Sequence, residues 1–182
     1  RLQCALDIAG GMAYVHKKGY IHRDLKSMNV LCDEDGRCPI ADLGLAKKVI
    51  DASVIAEVET EETSRRPLSA QATSMKGTFP WMAPEVVTTS YDNSADVFSF
   101  GVVMWELVTG RVPWEGKYVW LHHILQAVAN GERPGMTMEE LEHVPKGYVE
   151  LMKLCWAGES KVRPTFDEVV VELQKIIHTK NT

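Results

Sequence analysis

The sequence predicts a mainly α-helical domain that carries one small β-hairpin and one long polar loop. Apolar residues recur at helical spacing at the start, middle and end of the chain. Two short apolar runs flank the turn residues Asp33-Glu34-Asp35-Gly36. Polar residues dominate from Asp51 to Met75, and so long a polar stretch inside a compact domain is either functional or disordered.

Leu2, Leu6, Ala9, Ala13 and Val15 or His16 predict an amphipathic first helix that ends near Gly19. Gly10-Gly11 within it costs about 1 kcal/mol per glycine relative to alanine, so packing has to hold that turn. Val30-Leu31-Cys32 and Cys38-Pro39-Ile40-Ala41 form the expected hairpin. The polar stretch contains the acidic run from Glu57 to Glu62, followed by Arg65-Arg66-Pro67. Pro80, Pro84 and Tyr91-Asp92-Asn93-Ser94 punctuate loops, and Ser94 or Asn93 is expected to cap a hydrophobic helix reaching Val108, closed by Thr109-Gly110. Helical patterns return at about Val119–Asn130 and Gly147–Trp156. A last helix opens on Thr165-Phe166-Asp167-Glu168, a capping box, and runs to about His178. Neither a repeat nor a second domain is visible.

The 182 residues suit one domain, and 45% hydrophobic with 25% charged residues is a globular composition. Twenty basic residues against 25 acidic ones leave a net charge of -5, which argues against binding a nucleic-acid backbone or an anionic membrane surface. No apolar run approaches the roughly 18–20 residues that span a bilayer; Val97 to Val108 is interrupted by Ser99, Gly101 and Glu106 and reads as a buried helix. Cys4, Cys32, Cys38 and Cys155 are scattered, without a CxxC pair. They are expected to be reduced, mostly buried thiols in a cytoplasmic or nuclear setting, and not zinc ligands. His122-His123 is expected on the surface, and Trp105, Trp114, Trp120 and Trp156 in core or groove packing.

The chemistry concentrates in His22-Arg23-Asp24-Leu25-Lys26-Ser27-Met28-Asn29, on a loop between a helix and a strand. Asp24 can accept or orient a hydroxyl proton, Lys26 can neutralise phosphate charge, and Asn29 offers a neutral oxygen to Mg²⁺. Asp42, in Ala41-Asp42-Leu43-Gly44, follows the next strand. Because Mg²⁺ takes one or two carboxylates plus phosphate oxygens, Asn29 and Asp42 make a sufficient protein contribution.

His22–Asn29, Asp42-Leu43-Gly44 and Ala83-Pro84-Glu85 appear in the order of the signatures H-R-D-L-x-x-x-N, D-F-G and A-P-E. The chain therefore resembles the eukaryotic protein kinase family along essentially its whole length, in that family's large C-terminal lobe. The resemblance implies a partial kinase domain over residues 1–182, with an activation segment from 42 to 85. It gives Asp24 the acceptor hydroxyl and its proton, Lys26 the γ-phosphate, Asn29 and Asp42 the Mg²⁺ of ATP, and Leu31 the floor beneath the adenine. His22 would be structural, beneath the loop. Thr78 would touch Asp24 and Lys26, Asp96 would accept backbone hydrogen bonds from the catalytic loop, and Glu85 would pair with Arg163. Leu43 replaces the usual phenylalanine and would set, with Gly44 after it, which way Asp42 faces. Arg23 beside Asp24 implies control by an upstream activating kinase, with Thr73 and Ser74 as phosphate acceptors ahead of Thr60, Thr63, Ser64 and Ser69.

Lys26 follows the pattern of serine/threonine kinases. Trp81-Met82-Ala83-Pro84-Glu85, the run from Ser99 to Leu107 and Leu154-Cys155-Trp156 look like the tyrosine-kinase-like group that includes Raf and the mixed-lineage kinases. The implied activity is ATP- and Mg²⁺-dependent phosphorylation of serine and threonine on protein substrates by the intact parent. The chain opens on Arg1 in mid-helix, with no Gly-rich loop and no V-A-I-K lysine. The small lobe is therefore expected before it, and the chain alone is expected to be inactive. The competing readings are a pseudokinase or scaffold module, a dual-specificity or tyrosine kinase, and a small-molecule kinase; Ala83-Pro84-Glu85 and Arg163 weigh against the last.

Overall fold

Helix α1 (Leu2–Lys17) forms because Ala5, Ile8, Ala9 and Met12 fall on one face and bury it. That face packs mainly on the last helix, α6 (Phe166–Lys180). The computed structural model describes residues 1–49, 79–87, 92–118 and 120–180. Thr73, Ser74 and Thr78, like Thr60, Thr63, Ser64 and Ser69, lie outside the described residues.

Two β-elements follow α1, and they differ from the expectation in one respect. The anticipated hairpin is present as a bridge between Val30 and Ile40, flanked by Leu31 N–H donating to Pro39 O (3.0 Å) and Asp33 N–H donating to Arg37 O (3.0 Å). The two-stranded sheet is instead β1 (Tyr20–Ile21) with β2 (Lys47–Lys48), antiparallel, Tyr20 opposite Lys48. Strands this short, one of them two exposed lysines, have no alternation to read; they pair because the hairpin folds the chain back onto the end of α1.

Helix α2 (Asn93–Thr109) is the centre of the fold, with every residue from Ala95 to Trp105 buried. Its cap is Asp92, whose carboxylate accepts from Ser94 N–H at 2.8 Å, and neither Ser94 nor Asn93. Asp92 has extended backbone and a charged acceptor facing the positive end of the helix, which suits it better to the task. Gly110 at φ +68 stops the helix. Helix α3 (Leu121–Ala129) packs on the one-turn 3-10 helix Phe79–Trp81, which ends the polar loop. A short α4 (Met138–Glu142), which the sequence reading passed over, carries its own capping box between Thr137 and Glu140. Helix α5 (Lys146–Cys155) packs on α2, and the predicted Thr165–Glu168 box opens α6.

The core lies where α1, α2, α5 and α6 meet. Phe98, Phe100, Met104, Tyr148 and Phe166 are almost wholly buried there, each large apolar side chain contributing about 1.5–3 kcal/mol. Phe100 and Phe166 meet edge to face at 5.4 Å, and Tyr148 donates to Met104 O at 3.0 Å, so its buried hydroxyl is satisfied. Trp105, Trp114 and Trp156 belong to this core, but Trp120 is 62% exposed. No helix among the described residues is long and apolar enough to cross a membrane.

The cysteines depart from expectation. Cys4 of α1 and Cys38 of the hairpin form a disulfide, Cys32 is an exposed thiol, and Cys155 alone is both free and buried. A bond across a sequence separation of 34 stabilises by about 3–4 kcal/mol through the unfolded chain. Sequence spacing hides this contact, because Cys4 reaches the hairpin only through the packing of α1.

Candidate active site

His22 and Leu25 are fully buried, so the loop from His22 to Asn29 is pinned by two inward side chains, while Arg23 and Lys26, the residues that follow each of them, stay half-buried. Arg23 takes φ +70, a left-handed conformation that costs about 1–3 kcal/mol in a non-glycine residue and persists only when neighbours enforce it. Asp96, at the first turn of α2 and wholly buried, does so. Its two carboxylate oxygens accept from His22 N–H (2.8 Å) and Arg23 N–H (2.9 Å). His16 of α1 adds its Nε2 at 2.9 Å. Beneath the loop, His22 Nδ1 accepts from Asp24 N–H at 3.3 Å, which places the ring's proton on Nε2.

The next turn folds the polar side chains onto one another. A 3-10 turn over Ser27–Asn29 swings Asn29 back so that its Nδ2 donates to Asp24 O (2.8 Å) and to Asp24 Oδ2 (3.0 Å). Lys26 Nζ reaches the same oxygen at 2.6 Å. Asp24, Lys26 and Asn29 therefore form one cluster, with Asp24 and Asn29 each 7% exposed. Both donors of Asn29 are spent on Asp24, which leaves its amide oxygen for a cation.

The fourth predicted residue, Asp42, follows the hairpin. Ala41 N–H donates to Asn29 O at 2.8 Å, so Asp42 emerges one residue beyond a direct tie to Asn29. Asp42 sits at φ +60, a conformation Asp tolerates better than most residues, and its Oδ1 accepts from Gly44 N–H at 3.0 Å. A Cβ on Gly44 would approach that same oxygen to 2.9 Å, so a side chain there would displace the Asp42 carboxylate from this bond. Leu31 and Leu43 are 58% and 55% exposed; two apolar side chains face out from the hairpin and the segment after it.

On the far side, Ala83 is buried and Glu85 meets Arg163. Arg163 Nη1 and Nη2 donate to Glu85 Oε1 (2.6 Å) and Oε2 (2.9 Å), with further bonds to the carbonyls of Ala157, Ser94 and Gly158. Its guanidinium lies over the Phe98 ring at 5.1 Å.

A sequence profile described as "Protein tyrosine and serine/threonine kinase" matches residues 1–173. The chain belongs to the protein kinase family. Among the kinase's relatives, the serine/threonine-protein kinase STY46 of Arabidopsis thaliana is 40% identical over 173 residues, 94% of this chain and 26% of its own length. Receptor-interacting serine/threonine-protein kinase 1 of Homo sapiens is 36% identical over 88% of this chain and 24% of its own length. A dual serine/threonine and tyrosine protein kinase of Gallus gallus is 35% identical over 97% and 17%. The chain thus spans about a quarter or less of these relatives.

Sequence reading missed one residue that organises the kinase's site. Glu106 of α2 accepts from Ser27 Oγ (2.8 Å) on the His22–Asn29 loop and from Trp81 Nε1 (2.7 Å) beyond the polar loop. With Asp96, and with Ser99, whose hydroxyl donates to Trp81 O at 2.8 Å, it forms a polar stripe on α2 that holds both loops. The i, i+3, i+10 spacing is legible, but an acid inside an apolar run reads as an interruption until its partners are known. Burial raises the Glu106 carboxyl above its ordinary 4.5, opposed by the hydrogen bonds from Trp81 and Ser27. The neutral acid is thus favoured in the fold. Its stabilising contribution is complete below the unfolded value and is lost as pH rises through the folded one. Glu106→Gln should therefore lose no stability with rising pH at this site, whereas wild type should lose it relative to Gln as pH rises from below the ordinary 4.5 to well above it. Glu106→Ala, which orphans the Trp81 donor, should cost about 1–3 kcal/mol at either pH. Urea denaturation of the three proteins at both ends of that range checks the order.

Proposed function

We propose that the full-length protein transfers the γ-phosphate of ATP to serine and threonine hydroxyls of protein substrates. The observation that carries this is the cluster in which Asp24 accepts from both Lys26 and Asn29, with Asp42 following the Ala41 N–H bond to Asn29 O in the chain. The donor set fits a hard divalent cation: one amide oxygen and one exposed carboxylate, with no thiol or imidazole between them. Asn29 and Asp42 would hold that Mg²⁺, and the bound ion would neutralise charge on the phosphates. Asp24 takes the acceptor's proton, and Lys26, already within hydrogen-bond distance of Asp24, places its charge where the transferred phosphoryl and the acceptor meet. Leu31 supports the purine from below. Positioning by this chain's own residues supplies most of the rate, because a loose phosphoryl transition state demands little covalent help.

Lys26 supports serine/threonine preference over tyrosine, and Arg23, half-buried next to Asp24, is placed to receive a phosphate added to the activation segment by an upstream kinase. The dual-specificity relative keeps tyrosine in view as a second acceptor. Phosphoamino-acid analysis of a protein substrate labelled by the full-length enzyme decides between them. Phosphoserine and phosphothreonine are expected, with labelling abolished by chelation of Mg²⁺. Phosphotyrosine alone would replace the acceptor assignment, and no labelling by the phosphorylated enzyme would favour a scaffold.

A further inference from the structure

Outside the phosphoryl-transfer cluster, the densest group of reactive side chains among the described residues is Cys4, Cys32 and Cys38, whose sulfurs all lie within 4.8 Å of one another. We propose that they form a thiol–disulfide exchange centre, in which the exposed Cys32 thiol takes over the bond of Cys38 from Cys4. Cys4 and Cys38 are bonded, Cys32 is free and exposed, and its Sγ lies 3.4 Å from Cys38 Sγ.

The hairpin register explains the proximity. The bonds from Leu31 N–H to Pro39 O and from Asp33 N–H to Arg37 O set residues 32 and 38 opposite each other in a non-hydrogen-bonded position. Side chains approach most closely at such positions. Cys38 therefore has two partners within reach: one on α1, the other across its own hairpin.

The exchange balances without an oxidant or reductant. Cys32, as thiolate, attacks Cys38 Sγ; the Cys38–Cys4 bond breaks, and Cys4 leaves as a thiolate that takes a proton from solvent. One disulfide is lost and one gained. Cys155 stays outside the cycle, fully buried in the core. The consequence is mechanical. With Cys4–Cys38 closed, α1 is stapled to the hairpin that carries Asn29 at its base and leads into Asp42. With Cys32–Cys38 closed, that staple is gone, while Asp7 of α1 still accepts from Cys38 N–H at 3.2 Å and keeps Cys4 in range for the reverse step.

The test is made on the full-length protein, equilibrated in mixtures of reduced and oxidised glutathione, quenched in acid, alkylated and mapped by peptide mass spectrometry. Both linkages, Cys4–Cys38 and Cys32–Cys38, are expected in the same oxidised sample, with Cys155 alkylated only after denaturation. Native alkylation without reductant should label Cys4 in the wild type and lose that label in Cys32→Ser, a change at an exposed position. Cys4→Ser should accumulate the Cys32–Cys38 link, with its circular dichroism confirming a folded chain. Finding Cys32 always free and Cys4–Cys38 the sole link would overturn the proposal. So would three free thiols holding one equivalent of Zn²⁺ after equilibration with the metal.

Discussion

Asp24→Asn is expected to lower phosphoryl transfer by the full-length kinase by about 10²–10⁴-fold, the range that a positioned base supplies. The substitution keeps the shape of the side chain but replaces an acceptor by an amide. In the wild type, Asp24 Oδ2 receives both Lys26 Nζ and Asn29 Nδ2. In the variant both donors face the same atom, which is either the amide nitrogen or an oxygen that carries no charge. The backbone that holds the loop is untouched, since Asp96 grips residues 22 and 23, so the melting temperature should stay close to that of the wild type. Initial rates at saturating ATP, measured beside thermal melts, separate the two effects. Wild-type rates in Asp24→Asn would remove the proton-accepting role from this residue.

Arg163→Met should have the largest effect on stability. It removes a buried guanidinium with its bidentate bond to Glu85 and takes one donor away from the carbonyls of Ala157, Ser94 and Gly158. Breaking one side of a buried pair costs about 3–5 kcal/mol. The Glu85 side chain keeps 19% exposure, so water recovers part of the loss and the lower end of that range applies. Adding Glu85→Gln should restore some stability, because a partly buried carboxylate that has lost its bidentate arginine then becomes neutral. Urea denaturation of the single and double variants measures both steps. A loss below about 1 kcal/mol, the value of an exposed ion pair, would show that the pair is not what ties the Ala83-Pro84-Glu85 run to the helical core.

What could be read from the residues alone follows the distance over which each signal acts. Asp24, Lys26 and Asn29 are close in sequence, and Asp42 lies one hairpin away, so their juxtaposition needs only local turns. The capping box at Thr165 and the apolar faces of α1 and α2 are equally local. Thr137-Met-Glu-Glu140 is the same kind of signal, and α4 was there to be found. Asp92 shows how a capping motif can be seen and its cap misplaced when several polar residues adjoin. The Cys4–Cys38 bond, the pairing of Tyr20 with Lys48 and the two donors on Glu106 depend on tertiary packing, which no periodicity encodes. Trp120 is exposed where the other three tryptophans expected in the core are buried; side-chain size indicates potential burial, and only the neighbouring elements decide it.

The polar stripe on α2 has a consequence for how tightly the machinery is toleranced. Asp96, Ser99 and Glu106 fasten the His22–Asn29 loop and the Phe79–Trp81 turn to a single rod cast into the core, so those two parts keep a common datum and drift together. Among the described residues Asp42 has no such anchorage on α2; its position is inherited through a thin ribbon tied to itself by backbone bonds and to α1 at Cys38. Mechanical slack should therefore accumulate on the nucleotide side, and the acceptor side should arrive already aligned.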